Sequence, residues 1–478
     1  MTRQQIGLWL GPLLALAVAL WSLSTGLGNE AIATAALTTL CAVWWMTEPI
    51  PIPATSMLPF ALLPMLGVLD NKTVAQAYGH PMILLLLGGF MLSRVVERSG
   101  AHRRLALWMV RAFGRFGTKG VLLGFMMATA LGSMWISNSA TVLMMLPVAA
   151  AVISQSDDDR LPIALLLGIA YAGSVGGIAT PIGTPPNVIC LGVMNEKIGE
   201  AYSFAEWMAF GIPFTFVFLP IAWLWLGRGL GTGEVGQLPD PGPMRIREKR
   251  VLALFLTTAV AWITREAPFL AGGWSHWFGL TEIVNGKAKA IVGDETVALV
   301  AVGLAFLIPE GRDARDSASA DHEPGRLLDW KTAEAIPWGL LLLFAGGIAL
   351  AAASQESGLS KAVGSQLGLL ADLHPVVLVL SIALFITFLT EVSSNTASAI
   401  LLLPILADAA LENGLDPKRL MIPAAISASC AFMLPVATAP NAIVFGTGKV
   451  PIVQMAKNGF ALNLIGATLA TAITLLLI

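Results

Sequence analysis

The feature that most constrains this chain is a polar tripeptide that occurs twice, each time inside a long apolar stretch. The two copies are Ser137-Asn138-Ser139 and Ser394-Asn395-Thr396. They are 257 positions apart (394 − 137), and an aliphatic run ending in Pro147 or Pro404 follows each one at the same distance. Hydroxyls and an amide at matching positions of two apolar halves indicate one polar site built from an internal repeat.

Composition places this repeat in a membrane. Of the 478 residues, 56% are hydrophobic and 12% are charged, and the mean hydropathy is +0.76. A soluble globular protein carries about twice that charged fraction. Apolar runs of spanning length, roughly 17 to 25 residues, recur from end to end. The chain is therefore expected to lie in the lipid bilayer, without a soluble domain and without a nucleic-acid partner.

Eleven apolar segments are interpreted as full membrane spans. They are residues 6–25 (an uncleaved first span), 30–46, 53–69, 81–98, 161–179, 207–228, 250–266, 291–309, 337–354, 419–435 and 458–478. The stretches around the tripeptides, 121–153 and 375–411, are too long for one span and polar at their centres. Each is expected to form a re-entrant hairpin of two half-membrane helices that lines a wet cavity. The predicted fold is an all-α polytopic membrane protein with about eleven transmembrane helices and two re-entrant hairpins.

Positive charge sets the expected orientation. Lys and Arg cluster in 94–119, 228–250 and 312–331, whereas the alternate loops carry few. This asymmetry predicts a cytoplasmic N-terminus and an external C-terminus. The two hairpins then open from opposite sides, which makes the repeat inverted. The Gly88-Gly89 pair, which reappears 258 positions later as Gly346-Gly347, supports the repeat. The basic and apolar stretch Arg103–Arg115 is expected to lie along the cytoplasmic leaflet.

The tripeptides suit an anion. Several half-helix N-termini with hydroxyl and amide donors can hold a negative charge without Lys or Arg, which both tripeptide–proline blocks lack. The simpler alternative is that the serines only cap helices. Proline-rich breaks at 181–187 and 435–441 add free carbonyls, which together with Ser, Thr and Asn oxygens are ligands that Na+ prefers.

The remaining polar residues give weaker indications of function. Glu391 is the one acid expected at membrane depth, where such groups are functional suspects. A structural role, accepting hydrogen bonds from the hairpin backbone, is favoured over a proton relay. The five histidines fall in loops or at span ends, and the three cysteines are widely spaced, so no metal site or disulfide framework is expected.

At these residues the chain resembles the divalent anion:sodium symporter family, whose members carry dicarboxylates, citrate or sulfate. The resemblance covers nearly the whole length. It includes the segment Thr47–Pro53, the Gly88-Gly89 pair, both tripeptides and both breaks, Gly183–Asn187 and Ala437–Asn441. It implies a homodimeric elevator transporter. The scaffold would comprise residues 1–120 and 229–372, and the moving transport domain residues 121–228 and 373–478.

The resemblance also implies a set of ligands for two sodium ions and the anion. The first sodium site would use Ser133, Ser137, Asn138 and Gly183. The second would use Thr390, Ser393, Asn395 and Ala437. The substrate carboxylates would meet Ser137, Asn138, Ser139, Ser394, Asn395, Thr396 and Thr438. Two positions depart from the family pattern, Ser139 in place of Thr and Ala439 in place of the first proline of the second break, so the identity of the anion stays open.

The sequence thus predicts a sodium-coupled importer of a C4-dicarboxylate such as succinate, malate or fumarate in the cell's inner (plasma) membrane. A sulfate or citrate carrier, or a sodium-independent dicarboxylate exchanger, is the alternative on the same fold. An intramembrane hydrolase with Ser174 as nucleophile is disfavoured because no His is expected at membrane depth to act as base. A passive channel is disfavoured because paired hairpins build an occluded site.

Overall fold

The computed structural model describes residues 3–156, 158–198, 202–231, 242–266, 270, 272–284, 287–311, 325–366 and 374–478. The helices of the first half are α1 (Arg3–Ser24), α2 (Asn29–Thr47), α3 (Ile52–Ser56), α4 (Leu58–Met65), α5 (Asn71–Tyr78), α6 (Pro81–Ser99), α7 (Ala101–Gly114), α8 (Gly117–Ser133), α9 (Asn138–Ile153), α10 (Leu161–Ile178), α11 (Pro185–Ile198) and α12 (Phe204–Leu226).

The helices of the second half are α13 (Ile246–Thr264), α14 (Gly273–Trp277), α15 (Asp294–Leu307), α16 (Trp330–Ala333), α17 (Trp338–Glu356), α18 (Leu359–Gln366), α19 (Pro375–Thr390), α20 (Asn395–Glu412), α21 (Lys418–Ala428), α22 (Ala439–Phe445) and α23 (Ile452–Leu477). One short antiparallel hairpin, β1 (Thr281–Val284) with β2 (Lys287–Ala290), interrupts the helical architecture; its register pairs Thr281 with Ala290.

The sequence repeat is also a repeat of secondary structure. Helices α6 and α17 each have 19 residues, and both of their ends are 257 positions apart. Helices α9 and α20 begin at Asn138 and Asn395, again 257 positions apart. The same order of hairpin, interrupted helix and long apolar helix then follows in each half.

Each tripeptide lies at the turn of a helical hairpin, as predicted. The turns are residues 134–137, between α8 and α9, and 391–394, between α19 and α20. The predicted half-membrane length of the arms is wrong. The arms have 16 to 18 residues, or about 24–27 Å at 1.5 Å per residue. Pro147 and Pro404 lie inside α9 and α20 and do not end them.

Within the described part of the chain, eight helical segments are long and apolar enough to cross a membrane. Seven of them match expected spans, and the eighth is α20, an arm of the second hairpin. The other four expected spans are shorter or more polar. Residues 53–69 form the two short helices α3 and α4, α15 has 14 residues, α21 ends at Ala428, and the first turn of α13 is charged.

Each half also contains an interrupted helix. The helix that begins with α10 unwinds at 179–184 before α11, and the helix that begins with α21 unwinds at 429–438 before α22. Helix α11 packs against α20, the second arm of the other half's hairpin, and α22 packs in the same way against α9. This crossed packing brings each interrupted helix to the hairpin of the opposite half.

The glycine pairs of α6 and α17 lie against these elements. A Cβ atom at Gly89 would be 3.0 Å from Ile182 Cγ2 in the first break, and a Cβ atom at Gly347 would be 2.4 Å from Ile400 Cγ2 in α20. A larger residue at either position would therefore require the facing isoleucine to move. The second glycine of each pair allows the backbone of α6 or α17 to approach the part of the chain that carries the tripeptides.

Candidate functional site

Both tripeptides cap the second arm of their hairpin. Ser137 Oγ accepts a hydrogen bond from Ala140 N at 3.3 Å, and Ser394 Oγ accepts one from Ala397 N at 3.4 Å. The capping interpretation is therefore correct for both serines. It also supplies what an anion site needs, since two helix N-termini with partial positive charge end at the tips.

In the first half, oxygen-bearing groups from three segments converge behind the tripeptide. Ser133 Oγ donates to Gly173 O at 2.6 Å and lies 2.6 Å from a terminal atom of the Asn138 amide. The position of that amide atom is 3.2 Å from Gly173 O and 3.2 Å from Gly183 O. Ser133 is fully buried. Neutral hydroxyl, amide and carbonyl oxygens gathered in this way are the ligands of a hard monovalent cation.

This cluster contains three of the four residues predicted for the first sodium site. Ser137 is the exception, because its hydroxyl is directed to the helix cap. Gly173 was missed because it contributes only a backbone carbonyl, which leaves no trace in the sequence. Gly177 permits the cluster to form: a Cβ there would lie 2.6 Å from Asn138 Oδ1 and 3.0 Å from Gly183 O.

The second half does not gather its predicted ligands in the same way. Thr390 Oγ1 and Ser393 Oγ donate to carbonyls of the preceding helical turn at 3.0 and 2.8 Å, and Ser393 Oγ also lies 2.8 Å from Ser398 Oγ. Asn395 Oδ1 is buried without a hydrogen-bond partner among the described residues. Within those residues, no hydrogen bond joins Thr390, Ser393 or Asn395 to Ala437, so the four do not form a closed cluster.

An asparagine that the prediction did not assign to the site holds the first break. Asn187 Nδ2 donates to the carbonyls of Gly177, Ile178 and Thr180 at 2.9, 3.2 and 2.7 Å. Asn187 is fully buried. It fixes the unwound backbone beside the oxygen cluster.

The second break is held by the matching asparagine. Asn441 Nδ2 donates to the carbonyls of Ala431 and Leu434 at 3.1 and 3.0 Å. Thr438, predicted to meet the substrate, caps α22 by accepting from Asn441 N at 3.2 Å. The repeated Pro-Asn dipeptide in the sequence could have indicated this shared role.

Glu391 braces the second break. Its carboxylate accepts from Met433 N and Leu434 N, both at 2.9 Å, and from Asn463 Nδ2 at 2.6 Å. Asn463 Oδ1 accepts from Phe432 N at 3.1 Å. The favoured structural role is confirmed, but its expected partner is wrong, since the amides belong to the break after α21 and not to the hairpin. Glu391 is 3% exposed.

Burial separates two layers in this region. Ser133 and Thr390 are fully buried and Ser393 is 5% exposed, which suits ions enclosed by protein. The tripeptide residues lie closer to the surface. Ser137 is exposed, and Asn138, Ser139, Ser394, Asn395 and Thr438 are partly exposed, while Thr396 is 8% exposed. A cation layer beneath an anion layer fits this gradient.

The candidate nucleophile of the disfavoured hydrolase is buried inside a helix. Ser174 is 1% exposed inside α10, and its hydroxyl has no hydrogen-bond partner in the described part of the chain. His80 and His374 cap α6 and α19, and His102 and His276 lie in α7 and α14. His322 lies outside the described residues.

Comparison with known proteins gives a family match over most of the chain. Residues 42–415 match the family model described as "Citrate transporter". The sodium-dependent dicarboxylate transporter SdcS of Staphylococcus saprophyticus is 40% identical over 99% of this chain and 91% of its own length. SdcS of a Staphylococcus aureus strain is 40% identical over 98% of this chain and 89% of its own length.

Solved structures share the fold at much lower identity. The YdaH transporter of Alcanivorax borkumensis superposes with a TM-score of 0.61 at 16% identity, covering 94% of this chain and 98% of that one. MtrF of Neisseria gonorrhoeae, described as representing a class of antimetabolite efflux pumps, gives a TM-score of 0.57 at 14% identity, covering 90% and 96%. These likenesses concern the fold alone.

Proposed function

Because this multi-pass membrane chain belongs to the divalent anion:sodium symporter family, we propose that it imports a C4-dicarboxylate, such as succinate, malate or fumarate, together with Na+. The relatives that carry the name sodium-dependent dicarboxylate transporter are similar over nearly their full length. The observation that carries the proposal is the neutral oxygen cluster of the first half at the capped N-terminus of α9, together with the matching cap of α20 in the second half. Together they provide cation and anion ligands without Lys or Arg.

In this proposal the first sodium ion is held by Ser133 Oγ, Asn138 Oδ1 and the carbonyls of Gly173 and Gly183. The inward atom of the Asn138 amide lies 2.6 Å from Ser133 Oγ and 3.2 Å from each of the two carbonyl oxygens. The second ion would recruit Asn395 Oδ1, which is buried without a partner among the described residues. Thr390, Ser393 and Ala437 would complete it once the hydroxyls turn from their helical carbonyls.

The dicarboxylate would bind above the ions. One carboxylate would meet the first tip and the other the second, with the hydroxyls and amides of both tripeptides and Thr438 as donors. Two tips serve two carboxylates, which favours a dianion with separated charges. The chain acts as a carrier and not as an enzyme in this account, as its relatives do.

Motion would follow the elevator scheme. Residues 121–228 and 373–478 would slide against a scaffold of 1–120 and 229–372 in a homodimer of the inner membrane, with a cytoplasmic N-terminus and an external C-terminus. The close glycine contacts of Gly89 and Gly347 lie at this boundary, and an inverted arrangement of the repeats would give the two end states similar contacts.

Uptake into proteoliposomes tests the function. Radiolabelled succinate should accumulate under an inward Na+ gradient and not under an equal K+ gradient. Unlabelled malate and fumarate should compete more strongly than sulfate or citrate. Sodium-independent exchange of succinate, or stronger competition by sulfate or citrate, would replace the proposed substrate or coupling with the corresponding alternative.

A disulfide tests the motion. Cys41, Cys190 and Cys430 are first replaced, and cysteines are placed at Gly347 and Ile400, whose Cβ positions are 3.4 Å apart, near the range of natural disulfides. Oxidation should stop uptake while succinate binding persists, and reduction should restore uptake. Full transport by completely cross-linked protein would exclude the elevator and indicate gating around a fixed site.

A further inference from the structure

The Asn138 amide fits the oxygen cluster of the first half in two orientations. With Nδ2 inward, it donates to Ser133 Oγ at 2.6 Å and to Gly173 O and Gly183 O at 3.2 Å. With Oδ1 inward, it accepts from Ser133 at 2.6 Å and faces the two carbonyl oxygens. The first orientation gives each acceptor of the cluster a donor without a cation, since Ser133 Oγ itself donates to Gly173 O. The second places like partial charges together and becomes favourable only when a cation lies between them.

We propose that this amide turns over when sodium binds, and that the turn couples the ion to the anion. The proposal rests on the sodium site proposed above. Without sodium, Nδ2 donates to the cluster in the place of the ion, and Oδ1 points out of the cluster. With sodium, Oδ1 coordinates the ion and Nδ2 points out.

The outward atom decides whether the anion can bind. Asn138 is partly exposed and begins α9, beside the cap formed by Ser137. An outward Oδ1 sets a partial negative charge against an arriving carboxylate. An outward Nδ2 donates a charge-assisted hydrogen bond to the same group. Sodium binding therefore converts the tip from one that repels a carboxylate to one that binds it. The ion does not need to contact the carboxylate to do so.

The turn requires little of the protein. The terminal torsion of asparagine is broad, so the amide rotates without backbone movement. The backbone around the cluster is meanwhile held by Asn187, which donates to three carbonyls of the first break. Because the surrounding backbone stays in place, the orientation of this side chain depends only on whether the ion is bound.

Solid-state NMR observes the orientation directly. The wild-type protein in liposomes is labelled with 15N-asparagine and with 13C at the glycine carbonyl, and contacts between asparagine Nδ2 and glycine carbonyls are recorded in K+ and in Na+. The contact of Asn187 Nδ2 with Gly177, where the N···O distance is 2.9 Å, should persist in both salts and serves as the internal reference. The Asn138 contact, assigned by its loss in Asn138→Asp, should be present in K+ and lost in Na+.

Succinate affinity supplies a second readout. Asn138→Ala should weaken succinate binding about tenfold in Na+ and should not weaken it in K+, where the wild-type amide points its nitrogen into the cluster and its repelling oxygen toward the anion. An Asn138 contact that is the same in both salts, or an equal loss of affinity in both, would overturn the turning amide. If Na+ fails to raise the melting temperature of the wild type above its value in K+, the sodium site itself is absent and the proposed function fails.

Discussion

The two hairpin tips carry matching tripeptides but offer their breaks different hydrogen-bond acceptors. In the first half, the Thr180 hydroxyl of the break donates to the backbone oxygen of Met134 in the tip. In the second half, position 391 corresponds to Met134 (391 − 134 is also 257), and there the tip provides a carboxylate. Glu391 accepts hydrogen bonds from two backbone amides of the break and from the side-chain amide of Asn463.

The difference follows from how far each break is unwound. The first leaves 179–184 outside the helices, whereas the second leaves 429–438. A longer unwound segment at membrane depth has more backbone N–H groups that need acceptors, and Glu391 with Asn463 accepts from three consecutive residues. The repeated motif therefore determines where the proposed site lies. Each half provides its own acceptors for the backbone N–H groups of its break. Among the described residues, the second half alone has a carboxylate next to its proposed cation ligands.

The largest effect is expected when the asparagine shared by both tripeptides is replaced. Asn138→Ala and Asn395→Ala should each reduce uptake to about a tenth or less, since each amide serves an ion and the anion and its loss leaves buried groups unpaired. Both proteins should remain folded. Asn413→Ala is the control, because Asn413 Nδ2 donates to Ala409 O at 2.7 Å at the far end of α20. Uptake within a factor of two of wild type in both variants would contradict a site shared by the two tips.

The two halves differ most clearly in the hydrogen bonds between the hairpin tip and the break. Glu391→Ala should lower the free energy of unfolding by roughly 3 kcal/mol or more, because two amides and Asn463 lose a charged acceptor. Met134→Leu, at the matching position, should cost less than about 1.5 kcal/mol, since only its backbone oxygen forms the tie. Thermal unfolding of the two purified variants makes the comparison. Equal losses would mean that the Glu391 carboxylate does not stabilise the second break.

The packing of α11 against α20 gives a third test. Lys197 at the end of α11 is paired with Asp408 in α20 at 2.8 Å, with side chains 1% and 12% exposed. Lys197→Met leaves Asp408 without its partner and should cost about 3 kcal/mol. Lys197→Met combined with Asp408→Leu should recover most of that stability. If the double variant melts no higher than the single one, the pair does not hold α11 against α20.

The smallest effect concerns selectivity. Ser139→Thr adds one methyl group and gives the first tip the hydroxyl type that the second has at Thr396. Uptake should persist, and the ratio of succinate to sulfate or malate transport should shift by a free energy of about 1 kcal/mol. The measurement is competition in the proteoliposome assay. Unchanged ratios for all the anions would remove Ser139 from the substrate pocket.

Much of this arrangement could be predicted from sequence. Small polar residues inside long apolar runs identified both hairpins, and the repeated offset located the second tip from the first. Groups that act through the backbone could not be found in this way, as Gly173 shows. Asn463 could have been noticed as an amide within an apolar span, but its partner Glu391 lies 72 positions away. The length of the hairpin arms was misjudged because the polar centre of each stretch was taken to divide it into two half-membrane helices, whereas each arm continues for 16 to 18 residues, with Pro147 and Pro404 accommodated within α9 and α20.

The most direct test of the account is the sodium dependence of succinate binding at equilibrium. If each half supplies one sodium ion linked to the anion, the logarithm of the succinate association constant rises with the logarithm of sodium concentration with a slope of about two in the wild type at subsaturating sodium. In a variant that has lost one ion site, the slope falls to about one. A wild-type affinity that is the same in Na+ and in K+ would contradict the central claim.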